Sequence, residues 1–114
     1  MIDVSSEDAK LIQLARQARV RIGAAEGAAV RDETGRSFSG ATLALPALSL
    51  TALELAVAQA CTSGATDFEG AVVVTSGQSV NVEALSQAAT TPTRVLVCSI
   101  DGQVTNVVDV LARG

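Results

Sequence analysis

Histidine is absent from all 114 residues of the chain, and its two cysteines, Cys61 and Cys98, stand far apart. Imidazole exchanges protons most readily near neutral pH, so its absence excludes Ser-His-Asp and Cys-His catalysis. A Ser-Lys arrangement would have to recruit Lys10, the one lysine, from an exposed helix face. Zinc that activates water is held by about three protein ligands drawn mainly from His and Cys. Two thiols, one expected near the end of a helix and the other near the end of a strand, do not make such a set. No metal and no cofactor are therefore expected. Both cysteines sit in apolar runs and read as small buried hydrophobes rather than as a disulfide framework.

The segment Thr75-Ser76-Gly77-Gln78-Ser79 follows an apolar run and precedes a helical pattern, the setting of a phosphate-cradling loop. It lacks the Gly-Lys-Ser/Thr ending and the dinucleotide glycine spacing, so it reads as a polar connection. A formal net charge of −4 argues against a surface that neutralises phosphates, and no nucleic-acid partner is expected. Lys10, Arg16, Arg19 and Arg21 form the best basic cluster, but they share no single stripe and lie near Glu7 and Asp8. They read as a solvated face. The opening residues Met1–Asp8 carry no basic stretch followed by an apolar run, and no apolar stretch reaches membrane-spanning length. A cytoplasmic protein without membrane contact is expected.

Apolar residues make up 48% of the chain and aromatics only 2%, so a core must be built from Ala, Val, Leu and Ile, which favours close approach of helices and sheet. Ser5 and Ser6 ahead of Glu7 and Asp8, followed by Leu11, Leu14, Ala15, Ala18 and Ile22 at helical spacing, predict an amphipathic helix over 6–21. Residues 27–30 and 37–43 flank a turn at Gly35 and predict a β-hairpin. After Pro46, with Ser49 or Thr51 as cap, Leu50 to Ala60 is apolar nearly all round and predicts a buried helix ending by Gly64. Phe68 to Thr75 reads as a central strand. Asn81 can cap a short helix carrying Val82, Leu85 and Ala88, and residues 94–100 form another strand. Asp101-Gly102 is a hairpin signal leading to Gln103-Val104-Thr105, and a last helical turn is expected around Val107 to Ala112. The predicted order is α-β-β-α-β-α-β-β-α in a single domain over 1–114: an α/β fold with a five-stranded mixed sheet flanked by helices in three α/β/α layers.

Four segments resemble the small cytidine deaminases. They are the first helix at Leu11–Ala18, Gly27-Ala28-Ala29-Val30 against the family's Val-Gly-Ala-Ala-Leu, the turn Gly35-Arg36-Ser37-Phe38-Ser39-Gly40, and the helix Leu55 to Gly64. The resemblance implies the cytidine deaminase fold over most of the chain. It also implies where the functional positions fall, and there the residues depart. Thr42-Leu43-Ala44 stand where the family's Asn-x-Glu holds the ribose, and Ala24 replaces an aromatic. Thr51 takes the place of the first zinc ligand and Leu53 that of the catalytic glutamate. Glu54 lies one residue further on, about 100° round the helix. The third helix, near Val80 to Leu85, carries neither cysteine of Pro-Cys-x-x-Cys.

If a pocket survives, Thr42, Thr51 and Glu54 are its expected polar lining, and Glu54 with Glu83 or Asp67 is the carboxylate pairing to weigh. The leading reading is a catalytically inactive cytidine deaminase-like protein that acts as a homo-oligomer, dimer or tetramer, and binds a protein partner. The oligomer is implied by the resemblance and by the apolar excess of the helix at 50–60. An alternative is a metal-independent sensor or enzyme for a nucleoside-like molecule in the emptied pocket. A third is an active deaminase of unusual design.

Overall fold

The first helix, α1 (Ser6–Ile22), starts where Ser5 Oγ accepts the Asp8 N–H at 3.1 Å and stops where Gly23, at φ +62°, turns its N–H back to the carbonyls of Arg19 and Val20. Glu7 and Asp8 in the first turn and Arg19 and Arg21 in the last complement the helix dipole. Its buried stripe is Leu11, Ile12, Ala15 and Ala18. These coordinates are a computed structural model that describes residues 4–77 and 79–114; Gln78 of the 75–79 loop lies outside them.

The strands β1 (Gly27–Asp32) and β2 (Ser37–Ala41) form the hairpin, with Gly35 at φ +87° in its turn. A two-stranded ribbon, β3 (Leu43–Ala44) with β4 (Ser49–Leu50), leads into α2 (Ala52–Thr62). Then come β5 (Phe68–Val74), the short α3 (Glu83–Ala88), β6 (Thr93–Cys98) and β7 (Val104–Val110). The main sheet has the order β2-β1-β5-β6-β7, and only β5 and β6 run parallel. Alternation along the strands divides the core in two. Ala29, Val72, Val74, Leu96 and Cys98 face α1, whereas Ala28, Val30, Ala71, Val73, Val95 and Val97 face α2 and α3.

The layers meet at glycines. A Cβ on Gly27 would come within 2.0 Å of the Ala15 carbonyl oxygen, and one on Gly40 within 2.8 Å of both Ala52 O and Ala56 N. Both α1 and α2 therefore rest on bare strand backbone, the close approach that a ring-poor core calls for.

Three expectations are corrected, and one element is additional. The chain after Asp101-Gly102 does not turn helical near Val107 but continues as β7, pairing Val108 with Val95 and Val110 with Thr93. Val104, Thr105, Val107, Val108 and Val110 are β-branched, and a neighbouring strand edge rewards that composition. The tail then packs back on α3, with the Arg113 N–H donating to Ser86 O and Ser86 Oγ to Leu111 O. The ribbon around Pro46 was not expected; Leu45 and Leu48 exchange backbone hydrogen bonds and fold the segment onto itself. The helix at 52–62 is not apolar-packed all round: Ala52, Leu53, Ala56, Val57 and Ala60 are buried, but Ala58, Gln59, Cys61 and Thr62 are exposed, so Cys61 is not a core residue. Finally, Val82 is the N-cap of α3, and Asn81 Oδ1 accepts the Glu83 N–H at 3.0 Å from one residue earlier.

Carboxylates tie the loops at one end of the sheet. Asp32, fully buried, accepts from the backbone N–H and hydroxyl of Thr34 and from the backbone and guanidinium of Arg36. Glu33 accepts from the Thr66 N–H and hydroxyl and from the Asp67 N–H; Asp67 in turn accepts from the N–H groups of Thr90 and Thr91 and the Thr91 hydroxyl. Burial pushes the carboxyl pKa of Asp32 and of Asp67 upward, but these hydrogen bonds outweigh it and hold both below the ordinary range. Glu33 is lowered chiefly by hydrogen bonds, its own N–H first.

Because these groups bind protons more weakly in the folded chain, their stabilisation is complete above the ordinary carboxylate pKa of about 4 and is lost as pH falls through the lowered values. Urea unfolding should show a steep loss of stability from about pH 4 downward. Asp67→Asn should be less stable at neutral pH and show a shallower acid loss. Gly27→Ala should unfold at lower urea by about 1–3 kcal/mol or more, since Ala15 and the helix it belongs to must move.

Candidate functional site

At the opposite end, where β5 and β6 finish, two hydroxyls and a carboxylate from three segments draw together. Glu26 immediately precedes β1, Thr42 follows β2 and Thr75 follows β5. Thr42 Oγ1 accepts the Glu26 N–H at 3.0 Å, and the Thr42 N–H donates to Glu26 O at 3.1 Å, which extends the hairpin pairing by one rung. Thr75 Oγ1 donates to Glu26 Oε2 at 2.8 Å and accepts the Gly77 N–H at 3.0 Å. The Thr75 backbone N–H is held by Cys98 O, so the side chain is positioned from both parallel strands. Thr75 is buried and Glu26 half-buried.

Of the residues expected to line a pocket, Thr51 and Glu54 meet each other and Thr42 goes elsewhere. Thr51 caps α2: its Oγ1 accepts the Glu54 N–H at 3.0 Å while Glu54 Oε1 accepts the Thr51 N–H at 2.8 Å. This reciprocal capping box satisfies two N–H groups at the helix start and engages both side chains. Thr42 joins Glu26. The carboxylates weighed as partners of Glu54 are engaged separately, Asp67 by Thr90 and Thr91 and Glu83 by Arg113.

Glu26 and Thr75 were not singled out from the sequence. The signal for Glu26 lay in the motif comparison, since it stands where Val-Gly-Ala-Ala-Leu begins with valine. The Glu26–Thr75 pair provides a hydrogen-bonding edge. Its hydroxyl points its proton at a carboxylate, and in a chain without histidine no imidazole relays it.

A five-stranded mixed sheet with α1 on one face and α2 and α3 on the other defines an α/β/α protein. The family model for cytidine deaminase-like proteins matches residues 4–102, and the chain belongs to that family. Among solved structures it is similar to a cytidine deaminase from Burkholderia pseudomallei, at 22% identity over 92% of each chain and a TM-score of 0.72, a likeness in fold. No curated protein matches the sequence.

The residues at the two helix starts do not fit a zinc that activates water. At α2 they are Thr51, Ala52, Leu53 and Glu54, and at α3 Asn81, Val82, Glu83 and Ala84. A capping hydroxyl, four alkyl side chains, an amide and carboxylates already bound elsewhere are not the imidazoles and thiolates of such a site. Among the described residues no three His, Cys, Asp or Glu side chains converge as a ligand group. Cys61 is exposed on α2, and Cys98 is buried on the α1 side of the sheet, where burial pushes its thiol up to about 11. Thiolate, the form that binds metal, is thereby disfavoured at Cys98.

Thr51→Ala should cost about 1 kcal/mol by urea unfolding, with Glu54→Ala costing less in that background than alone. Additive losses would show that the two side chains cap independently.

Proposed function

We propose that the chain is a catalytically silent cytidine deaminase-like protein: a single domain over 1–114 that works without zinc or other cofactor, as a homo-oligomeric binding or scaffold protein. The observation that carries this reading is Leu53. It is 1% exposed and packed among Ala28, Val57, Leu85 and other core residues, at the place where the resemblance puts the proton-shuttling glutamate. Swapping a carboxylate for a core leucine removes the acid and base together. Thr51, at the place of the first ligand, is committed to the helix start.

Binding fits the surface that is left. Leu45 and Leu48 at the tip of the ribbon are 54% and 50% exposed, and Val20, Ile22 and Leu111 are also exposed, a set of apolar contacts that a dimer, a tetramer or a protein partner would cover. The net charge of −4 disfavours nucleic acid, and among the described residues no helix is long and apolar enough to cross a membrane. The Glu26–Thr75 pair beside Thr42 favours one second reading, a metal-independent site for a small polar molecule at the strand ends.

Elemental analysis of the purified chain should find zinc far below one per chain, a cytidine deamination assay should show no turnover above buffer, and light scattering should report a stable oligomer. Near-stoichiometric zinc with turnover lost on chelation would overturn the reading. A monomer that is stabilised thermally by nucleosides, with the effect lost in Thr42→Ala, would favour the second.

A further inference from the structure

A cleft of about 640 Å³ opens at the carboxyl ends of β5 and β6, on the side of α1, lined by Arg16, Thr75, Ser76, Ser99, Asp101 and Thr105 among others. Ligand pockets commonly measure about 300–1,000 Å³, and in open α/β sheets they lie beyond the carboxyl ends of parallel strands. No residue of α2 or α3 lines this one, so it is separate from the helix starts at Thr51 and Asn81.

Arg16 is the group that gives the cleft a chemistry. Arg31, Arg36, Arg94 and Arg113 each meet a carboxylate, whereas among the described residues the Arg16 guanidinium makes neither a salt bridge nor a hydrogen bond. Its stem is held rather than loose. It follows the fully buried Ala15 on α1 and lies across the β6–β7 turn at Gly102, where a Cβ would come 3.1 Å from Arg16 Cδ and 3.4 Å from Nη1. Gly102 also has φ +90°, so the turn and the space for the arginine depend on the same glycine.

The neighbouring carboxylate does not consume this charge. Asp101 takes the Ser99 hydroxyl as its partner, and the Ser99 N–H and the Gly102 N–H close the turn around it on Gln103 O and Ser99 O. Arg16 acts on Asp101 only through space. Arg16 also lines an adjoining groove of about 440 Å³ on the outer face of α1 with Gln13, Gln17, Val20 and Arg21, so a second guanidinium and two amides stand beside it.

We infer that this cleft binds a compact oxyanion, the phosphate or carboxylate group of a small polar molecule, with the Arg16 guanidinium as its principal donor. A guanidinium offers a planar fork of N–H groups that matches both oxyanions, and one that is stem-packed and uncommitted gives up little freedom on binding. The rest of the molecule lies along the hydroxyl-lined floor or the α1 groove. The site requires nothing of the α2 N-terminus, and its standing is independent of whether the chain is catalytically silent.

The test is a two-dimensional amide NMR titration of the full chain with sodium phosphate and, separately, sodium acetate, at ionic strength held constant with sodium chloride. Saturable shifts confined to the Ser76 and 99–105 amides and the Arg16 Nε–H are expected. Arg16→Gln should weaken binding at least tenfold while its spectrum elsewhere and its melting temperature stay unchanged. Arg16→Lys, which keeps the charge but not the fork, should weaken it several-fold. Saturation by phosphate alone, by acetate alone or by both supports the site and identifies the group it takes. A linear response matching chloride, an undiminished response in both variants, or shifts centred on Thr42 and Thr51–Glu54 would overturn it.

Discussion

The close seating of helix on strand at Gly27 and Gly40 is the constraint on which the rest of the molecule rests. With so few rings available, the core cannot fill a wide gap between layers, so the gap has to be narrow. Ala15 lies on Gly27 from one side, and Ala52 and Ala56 lie on Gly40 from the other. Buried alanines at 15, 18, 52, 56 and 60 allow this approach, while Val72, Val73, Val74, Val95 and Val97 supply the apolar area that small side chains alone lack. A sheet clamped so tightly leaves little freedom in where its strand ends emerge. That fixes the positions of Glu26, Thr42 and Thr75.

The two ends of the sheet use polar groups differently. At one end Asp32, Glu33 and Asp67 are spent on backbone N–H groups and hydroxyls of neighbouring loops, a way of closing turns without burying unpaired donors. At the other end Thr51 and Glu54 are spent on each other at the start of α2. The carboxylates that sequence alone nominates for chemistry, Glu54, Asp67 and Glu83, thus each have a structural partner, Thr51 nearby in the chain for the first and distant residues for the other two. The groups with capacity left over are those that long-range folding assembles: Glu26 with Thr75, and Arg16 above the turn at Gly102.

The same distinction explains the departures around the deaminase-like positions. A helix start must satisfy its free N–H groups whether or not it holds a metal. Where a ligand and a catalytic glutamate would serve chemistry, Thr51 and Glu54 serve the helix and Leu53 serves the core. The Thr-x-x-Glu spacing of a capping box is itself visible in the chain, and reading it as such would have placed Glu54 correctly.

Local pattern was sufficient for α1, for the Gly35 hairpin and for the apolar central strand, because each depends on neighbours within a few residues. Periodicity also indicated three α/β/α layers. What it could not decide was β7, where a valine-rich segment has the apolar spacing for a turn of helix until the edge of β6 offers it hydrogen bonds. Nor could it decide the exposure of Cys61, which depends on which face of α2 the sheet covers. The meeting of Glu26 with Thr75, 49 positions apart, and of Arg16 with the Ser99–Gly102 turn is set only when the sheet order brings β1, β5, β6 and α1 to one edge. Residue types and short spacings are written along the chain. Which polar groups remain unspent is a property of the packed sheet.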